Sequence, residues 1–370
     1  MRTAIKGTIF CFGIFSIAMT FLNFRFQKGP HRLPNRMHTD QNSVAERTEY
    51  TTVEEITETT TKTTTTTTIP KTTTTTTPKI ATTTITDKLL PDETRKYYAL
   101  EPWKVKLNIN VSNNDPDTTW RMVTFVKSTA TRHKERELIR RTWASISLVS
   151  GTRFETIFVI GEAPSETAKA LIKEESERYG DILHFNGPDN YTHICSKTLS
   201  GMKWAKENLS PETFYTSSDD DVTVDLAEVI QNIETNIEKA SSEKWPEFPI
   251  LCGYLKGKTD PPHRDKNDKW YIPSSIYKWT VFPQFCFGAY YTTSVSVVSQ
   301  LYTEALTSKV LGHLDDVWLT GVVRERIGMP DTMVIAPQTF YVKHRPSSFD
   351  NEWKKAIAKL RERSKDIQYH

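Results

Sequence analysis

The chain has 370 residues, a formal charge of +3 and a charged fraction of 25%. So even a balance excludes the strong basic bias expected of a nucleic-acid binder. Four cysteines in this length exclude a disulfide scaffold, so any folded part has to rest on a hydrophobic core.

The first predicted element is an apolar span. Gly7–Phe24 carries no charge, lies between Lys6 and Arg25, and with 18 residues is just long enough to cross a bilayer as a helix. Ser16-Ile17-Ala18 loosely fits a cleavage site, yet the apolar run continues past it without a polar break, which favours a retained anchor over a signal peptide. Arg25, Lys28, Arg32 and Arg36 follow the span and outnumber Arg2 and Lys6 before it, so the positive-inside rule does not favour a luminal C-terminus. The segment Thr51–Thr86 is mostly threonine with Pro70 and Pro78 interspersed; it cannot bury apolar surface and reads as an O-glycosylated stalk. Downstream, Asn110, Asn190 and Asn208 each open an Asn-x-Ser/Thr sequon. Stalk and sequons together predict a type II membrane protein: a cytoplasmic tail (1–6), an anchor (7–24), a stalk (25–117) and a luminal domain (118–370).

Within the luminal part, short apolar runs alternate with helical patterns. Met122–Val126 reads as a buried strand, Arg132–Trp143 as a charged helix and Phe154–Gly161 as a second strand. Ser165 after Pro164 supplies a helix N-cap and Gly180 a stop, predicting a helix to Tyr179. Ile182–Phe185 is a third strand, His193–Glu207 a helix and Thr213–Ser217 a fourth strand. A helix over about Leu226–Ala240, a β-rich aromatic part (Ile250–Thr293), a helix from about Ser294 and a polar helix from Asn351 complete the order. Such alternation predicts an α/β domain with a mostly parallel sheet and helices on both faces. Of the luminal cysteines Cys195, Cys252 and Cys286, two can pair; Cys252–Cys286 is the expected bridge, although partner choice is not readable from sequence.

The fourth strand runs straight into Asp219-Asp220-Asp221. On an extended strand, residues i and i+2 share a face, so Asp219 and Asp221 are expected to converge. Two converging carboxylates suit a hard divalent cation that also takes phosphate oxygens, and strand carboxyl ends are where α/β sheets bind ligands. The triplet therefore reads as a metal–diphosphate site, with a solvated turn or a helix cap as the plain alternative.

Four patches in order carry a resemblance. Arg136-Glu137-Leu138-Ile139-Arg140-Arg141-Thr142-Trp143 is the first, and Tyr179-Gly180-Asp181-Ile182 with Asp189-Asn190-Tyr191 and Lys197-Thr198 is the second. The triplet is the third; Phe282-Pro283-Gln284-Phe285-Cys286-Phe287-Gly288 continuing to Leu314-Asp315-Asp316-Val317 is the fourth. Over about Trp120–Gly328 the chain resembles the β-1,3-galactosyltransferases and β-1,3-N-acetylglucosaminyltransferases of the Golgi. It departs in having Asp315 where the family usually has glutamate, and three residues, Trp318-Leu319-Thr320, between Val317 and Gly321 where many members have two.

The resemblance implies a GT-A-type, Rossmann-like luminal domain that moves galactose, N-acetylglucosamine or N-acetylgalactosamine, with inversion, from a UDP-sugar to the 3-hydroxyl of an acceptor glycan on a glycoprotein or glycolipid. It implies Mn²⁺ or Mg²⁺ on Asp219 and Asp221, with Arg140, Arg141, Lys197 and Asp220 toward the donor. It also implies an acidic base, Asp316 first and Asp315 second, against the alternative that both cap the helix after them. Trp143 is expected in the core. The resemblance leaves oligomeric state open, and a catalytically inactive lectin or assembly partner of the same fold is the alternative reading.

Overall fold

A computed structural model describes residues 118–336, 339 and 341–370. The expected tail, anchor and stalk, and the Asn110 sequon, lie outside the described residues. Among the described residues no helix is long and apolar enough to cross a membrane.

The chain order begins β1 (Trp120–Lys127), α1 (His133–Arg140), β2 (Ile146–Val149), β3 (Thr152–Glu162), α2 (Glu166–Tyr179), β4 (Ile182–Pro188), α3 (Ile194–Asn208), β5 (Phe214–Asp219) and β6 (Val222–Val224). It continues with α4 (Leu226–Glu243), β7 (Ile250–Cys252), β8 (Leu255–Lys256), β9 (Phe285–Cys286), β10 (Tyr290–Ser294) and α5 (Val295–Ala305). A π-helix (Val317–Val323), β11 (Val334–Ile335), β12 (Val342–His344), α6 (Phe349–Arg363) and β13 (Gln368–Tyr369) close it.

The expected capping holds: the Ser165 hydroxyl accepts from the Ala168 N–H, and Gly180 stops α2 at φ 65°. α1 is shorter than expected. The Thr142 hydroxyl donates back to Leu138 O at 2.6 Å, and Trp143 turns into the core, its indole N–H donating to Val222 O at 2.9 Å. Strand β2 is an addition to the expected elements. It forms a hairpin with β3 through Ser150-Gly151, both at positive φ, the pair of left-handed residues that a tight two-residue turn requires. The expected β-rich part is in fact four short strands, with residues 257–284 between β8 and β9 carrying none.

The main sheet runs β11-β7-β10-β5-β1-β3-β2-β13, with β4 also on β3. Its centre, β4-β3-β1-β5, is parallel; β10 joins β5 antiparallel, and β2 and β13 are antiparallel at the far side. Alternate residues of β1 feed separate cores: Val123 and Phe125 pack with Leu199, Leu301 and Trp318, whereas Met122 and Val126 pack with Ile139, Trp143 and Ile230. Helices thus cover both faces, and the carboxyl ends of β1, β3 and β5 are left at one rim. A separate antiparallel pair, β6 with β12, sets His344 opposite Val222, directly after the acidic triplet.

Candidate active site

Strand β5 ends at Asp219, whose N–H donates to Ala289 O at 3.0 Å. The chain then turns through Asp220 and Asp221 into β6, so the extended i, i+2 geometry expected of the triplet does not persist. Asp219 and Asp221 nevertheless converge. With His344 from β12 they offer two carboxylate oxygens and a ring nitrogen all within 4.8 Å of one another. Asp221 Oδ1 is buried and lies 3.3 Å from His344 Nε2. Two carboxylates and an imidazole converging in this way fit a divalent cation. Burial alone would raise the Asp221 carboxyl; the hydrogen bonds and charges of His344 and Arg345 overcome this and hold it down at about 2. Burial raises Asp219, which Lys127 counters and Asp315 reinforces. Asp220 turns the other way, its Oδ2 accepting from Ser128 Oγ and Arg132 Nε, both at 2.7 Å.

Lys127, the last residue of β1, escapes sequence reasoning because it looks like the polar end of an apolar strand. It is buried, with Nζ 2.9 Å from Gly288 O, 3.0 Å from Asp219 Oδ1 and 3.2 Å from Asp315 Oδ2. Burial would depress this ammonium, but Asp219 and Asp315 outweigh it and lift the group well above its ordinary value.

Asp315 is buried and committed, accepting from Thr198 Oγ1 at 2.6 Å as well as from Lys127. Asp316 is half-buried and faces the cavity. Its Oδ2 accepts from the Gly288 N–H at 2.9 Å and its Oδ1 from the adjacent Val317 N–H at 2.8 Å. The latter bond caps the π-helix, so part of the capping alternative is present alongside the cavity position. Burial first, and Asp315 second, push the Asp316 carboxyl up to about 7. A Cβ on Gly288 would stand 3.3 Å from both Asp316 Cβ and Oδ2, so glycine lets the two come together. The helix after Asp316 is a π-helix over Val317–Val323.

A cavity of about 500 Å³ joins these groups: Lys127, Asp219, Asp316 and His344 on one side, Tyr191, His263 and Trp270 on the other. A second, of about 280 Å³, is lined by Thr129–Thr131, Glu162, Pro188 and Asn190 at the ends of β1, β3 and β4. Lys127, which ends β1, lines the first, and the loop after it lines the second.

The remaining expected residues divide. Lys197 is buried in an ion pair 2.5 Å from Asp189 and also donates to Ser128 O, bracing the β1 loop; burial depresses its ammonium despite Asp189. Arg140 and Arg141, expected toward the donor, line neither of these two cavities. Arg140 is bonded to Asp181 at 2.7 and 2.9 Å, ion-paired to Glu175 and stacked on Tyr179. Arg141 makes an exposed ion pair with Asp350. Asn190 and Asn208 are exposed, as sequons require. Cys252 and Cys286 are bridged, and Cys195 is buried and free.

Residues 134–334, more than half of the chain, match the galactosyltransferase family model. The chain belongs to the galactosyltransferase family. Beta-1,3-galactosyltransferase 1 of Mus musculus is 28% identical over 220 residues, 58% of this chain and 64% of the relative. A lactosylceramide 1,3-N-acetyl-beta-D-glucosaminyltransferase B of Danio rerio is 28% identical over 54% of this chain and 52% of its own length. Human beta-1,3-galactosyltransferase 5 is 26% identical over 66% and 78%. The chain thus spans less than two thirds of the length of the first two relatives. Among solved structures, S. aureus TarS 1-349 overlays with a TM-score of 0.31 at 12% identity over 67% of each chain, a likeness too slight to inform the chemistry. Lys127, His344 and Arg345 all fall outside the family segment.

Proposed function

We propose that this galactosyltransferase-family protein is an inverting, metal-dependent hexosyltransferase with a GT-A-type domain. On this reading it moves galactose, N-acetylglucosamine or N-acetylgalactosamine from a UDP-sugar to the 3-hydroxyl of an acceptor glycan, making a β-1,3 linkage. One observation carries the reading: Asp316, pushed up to about 7, opens onto the same cavity as the Asp219–Asp221–His344 cluster. A base and a cation site facing one cavity are what direct displacement at an anomeric carbon requires.

Asp219, Asp221 and His344 would hold the cation. When bound, a divalent ion neutralises charge that develops on a departing diphosphate. The chain's own groups do the rest. Asp316 accepts the proton of the acceptor hydroxyl as its oxygen bonds to the anomeric carbon; the bond from that carbon to the diphosphate breaks, and UDP leaves with the electron pair. Gly288 N–H orients the Asp316 carboxylate, and Lys127 holds Asp219 and Asp315 apart from each other's charge. The smaller cavity beside the β1 loop suits the nucleoside, and the larger suits the two sugars.

Incubating the purified protein with Mn²⁺, a panel of UDP-sugars and glycan acceptors tests the reading. A β-1,3-linked product is expected; an α-linked product, or no transfer from any UDP-sugar, would overturn it. We further propose that the protein sits in the Golgi membrane through Gly7–Phe24 with residues 118–370 luminal, supported by the stalk and sequons. Protease added to sealed microsomes should then spare the folded part, and its digestion without detergent would reverse the topology.

A further inference from the structure

Residues 257–284 carry no strand, yet one stretch of them is held in a fixed shape. Asp268 braces it twice: its Oδ2 meets His263 Nδ1 at 2.6 Å, and its Oδ1 accepts from the Trp270 N–H at 2.8 Å. The Ile272 N–H then donates to His263 O at 3.0 Å, closing the stretch on itself. The result presents Trp270 to the larger cavity, 44% exposed, with the His263 ring 5.6 Å away. A single exposed apolar side chain is ordinary on a protein surface. This one is braced and lines the cavity that holds the acids. A sugar ring carries C–H bonds on its faces and hydroxyls at its edge, so an open indole plane is a surface on which it can stack.

Charge marks the same cavity. Lys269 Nζ lies 4.3 Å from the centre of the Tyr191 ring and 5.6 Å from that of Trp270, contacts that fix an ammonium without neutralising it. Lys256 comes from β8, where it pairs with Phe285 of β9; cross-strand partners share a face, so it rises beside a ring of the cavity wall. Of the other lysines and arginines that line the cavity, Lys127 is claimed by Asp219 and Asp315, and Arg345 by Asp221. Among the described residues, Lys256 and Lys269 have no carboxylate partner. Asp260, a further acid of the lining, turns its Oδ2 to the Gly257 N–H at 2.8 Å. Two unspent ammoniums on a concave wall make a positive field there.

We propose that the larger cavity selects an anionic acceptor glycan: one of its sugar rings stacks on Trp270, and its carboxylate or sulfate group meets Lys256 and Lys269. The assignment rests on the glycosyltransferase reading for the ligand's role as acceptor. Asp219 and Asp316 would repel such a glycan, and the two ammoniums reverse that repulsion locally, which makes the lysines specificity-determining residues.

Titration of the full protein, with UDP and Mn²⁺ present, tests this independently of turnover. The probes are β-linked disaccharides of one backbone: a neutral one, and others with a sulfate or a carboxylate at carbon 6 of either ring. An anionic member should bind about 10-fold or more tighter than the neutral one, and high salt should shrink that advantage. Lys256→Met and Lys269→Met should each cut the ratio of anionic to neutral affinity by about 3- to 10-fold, and the double variant should bring it near one. Trp270→Ala should weaken neutral and anionic members alike, by about 10-fold. An advantage confined to the sulfates, or to the carboxylates, would say which group the acceptor carries. Equal affinity for the neutral and every anionic disaccharide would overturn the proposal, as would an advantage that survives in the double variant. Full affinity in Trp270→Ala would remove the stacking platform. Lysine-dependent binding of an anionic disaccharide by a protein that transfers sugar from no UDP donor would uphold the anionic site and sink the transferase reading.

Discussion

Lys127 and Asp219 are joined twice: their backbones face each other in register at the ends of β1 and β5, and their side chains meet at 3.0 Å. The sheet itself therefore sets the distance between the buried cation and the first acid of the triplet. Neutralising that cation with Lys127→Met would leave Asp219 and Asp315 facing each other in a buried place. The expected cost is ~3–5 kcal/mol, the range for removing one partner of a buried pair, read as a lower midpoint in denaturant. A variant as stable as the parent would mean that neither acid needs the ammonium.

Metal affinity should depend on both arms of the cluster. Asp221→Asn and His344→Ala are each expected to weaken Mn²⁺ binding, followed by titration calorimetry, and to abolish transfer while the protein still folds. Undiminished Mn²⁺ binding in both variants would remove the assignment.

Asp316→Asn separates base from cap. Loss of a general base should slow turnover by ~10²–10⁴-fold with donor affinity little changed. Loss of a cap would cost ~1 kcal/mol of stability and leave turnover nearly intact. A variant that melts early but turns over normally would make Asp316 a cap.

The same residue sets a pH dependence. Asp316 works deprotonated, so kcat/KM should rise with pH through about 7 and level off above it. The sign for stability is opposite. The native carboxyl at about 7 lies above its ordinary value of 3.8, so between these values the native state holds a proton the unfolded chain has released. Stability in the metal-free protein should therefore fall as pH rises across that window, and Asp316→Asn should flatten the slope. A slope unchanged in the variant would assign it elsewhere.

The bridge between Cys252 and Cys286 closes a loop with a sequence separation of 34 residues, which includes the wall of the larger cavity. Replacing both cysteines by alanine should cost about 3–4 kcal/mol on chain-entropy grounds. It should also loosen the backbone next to Gly288, raising KM for the acceptor. Equal stability in the double variant would show that the loop is held by its own contacts, such as those of Arg264 to Ile272 O and Tyr277 O.

The parallel centre of the sheet and Asp219 with Asp221 are legible in the sequence because both are local: an apolar run, then acids. Even there the reason differs, since a turn and not a continuing strand brings the two carboxylates together. His344 is illegible because it reaches the triplet through an antiparallel pairing with a segment more than a hundred residues earlier, and nothing in its own neighbours marks it. Arg140 is only partly legible, for a complementary reason. Its place in a recognisable motif suggests the donor, whereas its ion pairs with Asp181 of the second patch and Glu175 of α2 are shown only by the fold. β2 escapes notice because four residues before a Ser-Gly turn are too few to stand out from the helix preceding them.

His344 ends β12 in its pairing with β6, ten residues beyond the end of the segment matched by the family model. The matched segment carries the acids of the cluster, and the imidazole that faces them comes from beyond it. A chain ended at residue 334 would still display every motif by which its kinship is recognised and would have lost the imidazole that faces the two carboxylates.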